Sequence, residues 1–467
     1  MTQPLIINSF SHLHELRYLY LCLKKRHIVT TRYAPIDPKL FIENRKRFTA
    51  LMKPKSLAVF NANDVLPTNA DGTMAFRQNN DLFYLSGIDQ EETVLLIFPD
   101  APDGAHKEVL FLRETNEHIA VWEGQKLTKE EARKVSGIQK VYWTHEFEKV
   151  FFSLIVEAEN VYLNTNEHVR AEVLVETRDA RFVEWCRKHY PLHSYIRSAP
   201  IMHQLRAIKS DIEIQLMRTA CDLTEKGFRR ILGFVKPGVW EYEIEAELAH
   251  EFIRAGAGFA GYQPIIASGG SSCVLHYNTN HQQCKDGDVL LLDFAAGYAN
   301  YQSDLTRTIP VNGRFTTRQK EIYNAVLRVK RFAMSRLVVG NNITDYHKEV
   351  GKAMEEELLK LGLITSEEVK SQNPDWPAYK KFFMHGTSHF LGLDVHDVGS
   401  RFRKFEAGMV YTCEPGIYVP AENIGVRIEN DILISEKGPV DLMASIPIEA
   451  EEIEELMNKN KVAAAAR

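Results

Sequence analysis

The sequence predicts an α+β protein of two domains, and three observations carry that prediction. At 467 residues the chain is long for one core, since domains run to about 100–200 residues each. Strand-like runs alternate with helical stretches between about residues 35 and 200, which is the pattern of an α/β domain. From about residue 205 onward, long capped helices surround an antiparallel hairpin and further strand signals. A hydrophobic content of 45% is ample for globular cores.

The first 33 residues stand apart. LRYLYLCLKKRH places a short apolar run before basic residues, the reverse of a signal peptide, and no small-residue cleavage site follows. Residues 1–34 are therefore read as an N-terminal extension, with disorder expected. LFIENRKRFTALM, from Leu40, reads as an amphipathic helix opening an N-terminal domain over residues 35–200. SLAVF, TVLLIF, EVLFL and NVYLN are its strand-like runs. PLHSYIRSAPIMHQLRA reads as the connection to a second domain, residues 205–455.

Ser210 with Glu213 forms a capping box that opens a long helix, whose apolar residues Leu216, Ala220 and Leu223 lead to Pro237-Gly238. A second helix covers about 240 to 255. Thr316 with Gln319 caps a third, and Thr344 is expected to cap a fourth. The alanine run near the C-terminus suggests a fraying tail over 456–467.

LLLDFAAGYANYQSDLTRTIPV holds two strand-forming runs around a turn expected at Tyr298-Ala299. That register sets Asp293 and Asp304 directly opposite each other, with Cβ atoms roughly 4.5–5.5 Å apart. Two carboxylates that close repel unless a cation lies between them. Further on, FFMHGTSHFLGLDVHDVG carries His385, His389 and His396 in an otherwise apolar stretch. Buried imidazoles need partners for their ring nitrogens, so packing alone is a poor explanation for three of them. Glu414 precedes Pro415-Gly416 and is held extended at the end of MVYTC. In GVRIENDILI, strand alternation projects Arg427 and Glu429 to the same side. Cys413 should point away from Glu414 for the same reason.

Taken singly, each piece has an ordinary reading. A hairpin Asp is usually solvated, Glu-Pro-Gly is a turn, and Arg427 with Glu429 could be a surface ion pair worth little. Together, Asp293, Asp304, His389, Glu414 and Glu429 supply four carboxylates and one imidazole. Four negative charges balance two divalent cations. Oxygen donors with one His suit Mn²⁺, Co²⁺ or Fe²⁺, and manganese is expected.

The residues 205 to 450 resemble the pita-bread metallopeptidases, a family that includes methionine aminopeptidases, prolidases and aminopeptidase P. All five ligand positions, their flanking words and their order agree. The resemblance implies a curved antiparallel sheet covered by helices. It makes Asp304 and Glu429 the carboxylates bridging both metals, with Asp293 on one ion and His389 and Glu414 on the other. His276 in VLHYNTN, His385 and His396 match the family's substrate-binding and proton-handling histidines, and Arg427 a residue that orients the site.

MHGTSHFLGLDVHDVG, YTCEPGIYV and TRTIPVNGRFT look most like aminopeptidase P, which removes an N-terminal residue when proline follows it. FRQNNDLFYLSGIDQEETVLLIF resembles the start of that enzyme's N-terminal domain. Prolidase, which cleaves Xaa-Pro dipeptides, shares both halves; Ser388, where prolidases tend to carry Gly, is the letter that separates them. A peptide-binding module without chemistry is a third reading, but such relatives lose their ligands. Trp122 resembles a tryptophan that reaches a neighbouring subunit's active site, which implies a homo-oligomer, dimer or tetramer, with Trp122 at the entrance.

The implied mechanism is attack on the carbonyl before proline by a hydroxide held between two metals, whose pKa falls to about 7 in well-studied zinc sites. His385 or His396 would steady the oxyanion, worth roughly 3–4 kcal/mol per donor. Glu414 would move the proton to the leaving nitrogen, which as a tertiary amide carries none of its own.

A net charge of −5 with scattered Lys and Arg gives no sign of a nucleic-acid partner. No stretch approaches the roughly 20 apolar residues of a membrane span. The six cysteines have no CxxC spacing, which fits a reducing, cytoplasmic setting.

Overall fold

The computed structural model describes residues 31–465, so the expected extension of residues 1–34 lies outside them but for its last few positions. By packing, the chain divides into two compact units. One holds residues 53–163 and 176–195, and the other holds 39–52, 164–175 and 196–467. The helix Lys39–Thr49 thus packs with the C-terminal unit, although it precedes the N-terminal strands in sequence. Arg47 Nη2, for example, donates to the Leu205 carbonyl at 3.3 Å.

The N-terminal unit is built on a six-stranded mixed sheet. Its strands are β1 (Ser56–Asn61), β2 (Val94–Ile97), β3 (Glu108–Leu112), β4 (Lys140–Trp143), β5 (Asn160–Leu163) and β6 (Ser194–Arg197), in the order β4-β3-β2-β1-β5-β6. β1 runs antiparallel to β2 and parallel to β5. The strand runs are continuously apolar rather than alternating, because both faces are covered. One face, with Leu57, Val59, Leu96 and Phe111, packs on Phe151 and Leu154 of the helix Phe147–Ile155. Ala58, Phe60, Leu95 and Ile97 point the other way and are equally buried. The helix Asn80–Ser86, with Leu82, Phe83 and Leu85 fully buried, packs against β1 and β2.

The C-terminal unit consists of antiparallel ribbons and long helices. Its strands are β7 (Gly258–Phe259), β8 (Ile265–Ser268), β9 (Val289–Asp293), β10 (Ala296–Tyr298), β11 (Tyr301–Gln302), β12 (Thr306–Pro310), β13 (Val410–Cys413), β14 (Gly416–Val419), β15 (Ile424–Arg427), β16 (Asn430–Ser435) and β17 (Gly438–Asp441). They pair as β12-β9-β8, β11-β10-β7, β13-β16-β17 and β14-β15. The helix Asp211–Phe234 starts at the Ser210–Glu213 capping box and buries Met217, Ala220, Thr224, Phe228 and Ile231, one stripe at helical spacing. It packs on the helix Glu241–Arg254 so closely that a Cβ on Gly227 would lie 2.8 Å from the Phe252 ring.

Three local expectations change. The hairpin turns at Ala299-Asn300, both left-handed with φ of +50° and +65°, so Asp293 pairs with Thr306 rather than Asp304. A two-residue hairpin loop needs positive φ at both central residues, which Asn accepts and a bulky Tyr298 resists. The register moves by two, so Asp304 keeps its face. The fourth helix, Ile343–Lys360, is capped by Asn342, whose side chain accepts from the N–H groups of Thr344 and Asp345; Thr344 lies inside the first turn. The segment read as a tail from residue 456 is mostly helix, Ala450–Ala465.

Candidate metal centre

Three of the five expected ligands, Asp304, His389 and Glu429, each offer an atom within 4.8 Å of the others. They arrive from different elements. Asp304 lies between β11 and β12, His389 in the segment before β13, and Glu429 between β15 and β16. The Glu429 N–H donates to the Thr306 carbonyl at 3.0 Å, and buried Arg307 donates to the carbonyls of Thr306 and Glu429 at 2.9 and 2.7 Å. These bonds join the two ribbons where the carboxylates meet.

Asp293 and Glu414 border the cluster. The Tyr262 hydroxyl lies 2.8 Å from both Asp293 Oδ1 and Asp304 Oδ1. One hydrogen cannot satisfy two carboxylate oxygens. Glu414 Oε1 is 3.7 Å from His389 Nε2, and its backbone N–H donates to the Thr387 carbonyl at 2.8 Å. Burial first, then the carboxylates of Asp304 and Asp293, lift the Glu414 carboxyl to about 7. Glu429 is driven well above the usual carboxylate range by burial and the same neighbours.

The histidines differ in their anchoring. His389 Nδ1 lies 2.9 Å from the Phe390 carbonyl; donating there leaves Nε2 as a lone pair 3.5 Å from Asp304 Oδ2. His385 is held at both nitrogens, Nδ1 by the Gly386 carbonyl and Nε2 by the Tyr418 hydroxyl, each at 2.8 Å. Burial, with Arg427 nearby, pushes its pKa down to about 3. His396 sits edge-on to His389, ring centroids 4.4 Å apart. His276 is exposed after the turn Gly269–Cys273, within electrostatic reach of His385.

Arg427 spans the floor of the site. It donates to Asp293 Oδ2 at 2.6 Å, Thr306 Oγ1 at 3.0 Å and the Tyr418 hydroxyl at 2.9 Å. Thr306 in turn donates to Glu429 Oε2 at 2.6 Å. Arg427 and Glu429 do project together, into the interior, where they are only 4% and 2% exposed. Cys413 is buried away from the cluster, its sulfur 3.6 Å from the Lys330 carbonyl, and burial raises the thiol to about 12. Trp122 belongs to the N-terminal unit and is 75% exposed.

Reasoning from sequence missed Tyr262, Thr306, Tyr418 and His347. His347 Nε2 accepts the Thr387 N–H at 3.3 Å, beside the His segment. Tyr418 and Thr306 stand inside strand words where either residue is ordinary. Nothing local marks Tyr262, in a loop before β8.

The donor set fits divalent cations. The carboxylates of Asp304 and Glu429 converge with His389, those of Asp293 and Glu414 border them, and Arg427 pairs with Asp293. Carboxylate oxygens with one imidazole are hard to borderline donors.

The family model for metallopeptidase family M24 matches residues 215–436, and that for the aminopeptidase P N-terminal domain matches residues 41–162. The Xaa-Pro aminopeptidase of Escherichia coli (strain K12) is 35% identical over 437 residues, spanning 90% of this chain and 98% of that protein. Aminopeptidase PepP of Pseudomonas aeruginosa aligns with a TM-score of 0.83 at 31% identity, covering 92% of this chain and 99% of that one. Escherichia coli aminopeptidase P with the inhibitor Pro-Leu aligns at 0.81 and 35% identity, covering 93% and 100%.

Proposed function

The chain belongs to the aminopeptidase P group of metallopeptidase family M24, and from that premise we propose that it releases the N-terminal residue from peptides with proline in second position. The observation that carries this reading is the convergence of Asp304, His389 and Glu429, bordered by Asp293 and Glu414. Divalent metal ions are the family's cofactor. Two ions would be held by Asp293, Asp304, His389, Glu414 and Glu429, and we favour Mn²⁺ from the oxygen-rich donors.

When bound, the ions supply charge stabilisation and a water made acidic enough to react near neutral pH. The protein's own groups do the rest. Glu414, whose carboxyl burial lifts to about 7, would accept a proton from the attacking water and pass it to the proline nitrogen, which has no hydrogen and leaves poorly without one. Tyr262 holds Asp293 and Asp304 in register. Arg427 fixes Asp293 directly and Glu429 through Thr306, and it orients His385 through Tyr418. His276, His385 and His396 bind the substrate, and of the two candidates for the developing oxyanion His396 is the one that can donate, since both ring nitrogens of His385 are already engaged.

A cytoplasmic setting is our reading of the cysteines, of which Cys186, Cys221, Cys273, Cys284 and Cys413 are free among the described residues. No helix among the described residues is long and apolar enough to cross a membrane. Exposed Trp122 is assigned to the substrate entrance of a homo-oligomer, dimer or tetramer.

The test is hydrolysis of Xaa-Pro-Xaa tripeptides beside Xaa-Pro dipeptides with Mn²⁺ supplied. Tripeptide cleavage is expected. Cleavage confined to dipeptides would replace this reading with prolidase, and absence of both cleavage and bound metal would leave a binding module.

A further inference from the structure

His396 has no side-chain anchor of its own. Its neighbours His385 and His389 are held by hydrogen bonds at their ring nitrogens. The His396 ring, among the described residues, makes none and only lies edge-on to His389. Its aim must therefore come from its backbone.

The next residue supplies a strong hold. Asp397 turns its carboxylate into the interior, where Oδ1 accepts from Arg206 Nη2 at 2.6 Å and Oδ2 accepts from Lys209 Nζ at 3.1 Å. The side chains of Lys209 and Asp397 are each 1% exposed. Arg206 Nη2 also reaches Asp394 Oδ2 at 2.7 Å, so both ends of the Asp394–Asp397 turn are gripped from one side. The Asp397 N–H closes the loop that begins at Phe390, donating to the Phe390 carbonyl at 2.9 Å. The backbone opposite has been cleared to admit the pair: a Cβ on Gly392 would collide with the Asp397 carboxylate and with Lys209 Cε.

Burying the charges of Arg206, Lys209 and Asp397 costs desolvation, and apolar side chains of the same volume often stabilise at least as well. What the ion pair adds is geometry. Its hydrogen bonds fix the carboxylate in two directions, which apolar packing does not. We propose that Lys209 and Arg206 are positioning residues for Xaa-Pro cleavage, clamping Asp397 so that the preceding imidazole, His396, faces the scissile bond. This inference rests on the role assigned to His396 under the proposed function.

The experiment compares full-length, metal-loaded wild type, Lys209→Met, His396→Ala and the double variant on an Xaa-Pro-Xaa tripeptide, with bound metal and thermal unfolding measured for each. Lys209→Met should lower kcat about tenfold to a hundredfold, as losses of orienting groups do, with KM and metal content near wild type. In the His396→Ala background the same change should cost less than about twofold, because groups acting as a unit are not additive. Independently of turnover, the His396 ring resonance in the protein loaded with diamagnetic Zn²⁺, labelled at histidine, should shift and broaden in Lys209→Met. Asp394→Asn, on the exposed side of the clamp, should give a smaller kcat loss that also vanishes without His396, and it covers the case in which Lys209→Met does not fold.

Losses that multiply in the double variant, an unmoved His396 resonance, or a His396→Ala enzyme with wild-type kcat would each overturn the inference. A wild-type chain inert towards Xaa-Pro peptides would instead overturn the functional reading, and the resonance alone would then decide the positioning.

Discussion

Around Phe151 in the N-terminal unit, the rings of Phe147, Phe182, Trp185 and Tyr190 pack with centroids 5.3 to 5.9 Å away. Around Glu429 in the C-terminal unit, the neighbours are Asp293, Asp304, Glu414 and Arg427. The first centre gains stability from every ring it buries, since aromatic burial and edge-to-face packing are both favourable. The second loses stability from like charges in a medium that screens poorly, which the proposed divalent ions would offset. The difference shows where stability has been exchanged for chemistry.

The comparison can be broken most directly at Glu429. Glu429→Ala should lose metal and tripeptide hydrolysis together, with kcat/KM down on the order of 10³-fold or more, beyond the 10–100-fold typical of groups that only orient ligands. Metal content by elemental analysis decides it; a variant that keeps full metal and activity would remove Glu429 from the ligand set.

Phe151→Ala tests the other centre. It should cost about 3–5 kcal/mol of stability in chemical denaturation, while kcat per folded molecule stays at the wild-type level. A drop in kcat with little loss of stability would mean that the aromatic core takes part in the chemistry.

Chelation should separate the units. Returning metal to 100 times its dissociation constant stabilises the binding state by about 2.7 kcal/mol. Hydrogen exchange should accordingly slow in β9, β12 and β15, with β1 and β2 unchanged. Equal changes in both sets would show that the charged centre does not own its instability.

The smallest effect concerns Asp179, at the start of the helix Arg178–His189. Burial raises its carboxyl to about 7, against a hydrogen bond from Asn61. A folded pKa above the unfolded value means that the folded state binds the proton more tightly. Stability therefore falls as pH rises from about 4 to about 7. Asp179→Asn should raise stability at pH 8 and leave it unchanged near pH 4 in urea titrations. An equal gain at both pH values would assign the effect to something other than titration.

How much was legible varies with the range of the interaction. Asp293 and Asp304 could be set on one face because strand alternation is local. Their register could not, because it hangs on whether Ala299-Asn300 or Tyr298-Ala299 takes positive φ. Arg427 and Glu429 were legible for the same local reason as the aspartates, whereas Thr306, which joins them, was not. That contact crosses more than a hundred residues of chain. Tyr262 was invisible because its role exists only where two carboxylates from β9 and the β12 entry converge on it.

By itself, the sequence determined the two-part α+β organisation and the helix caps at Ser210 and Thr316, and it pointed to five residues as the proposed holders of divalent metal. These follow from periodicity, turn chemistry and donor type, all short-range properties. Only the tertiary structure decided which oxygens share the Tyr262 hydroxyl, that Arg427 reaches Asp293, and that Lys209 and Arg206 grip the turn beside His396. Each depends on side chains brought together across the fold, where burial makes a charge expensive unless its partner arrives with it.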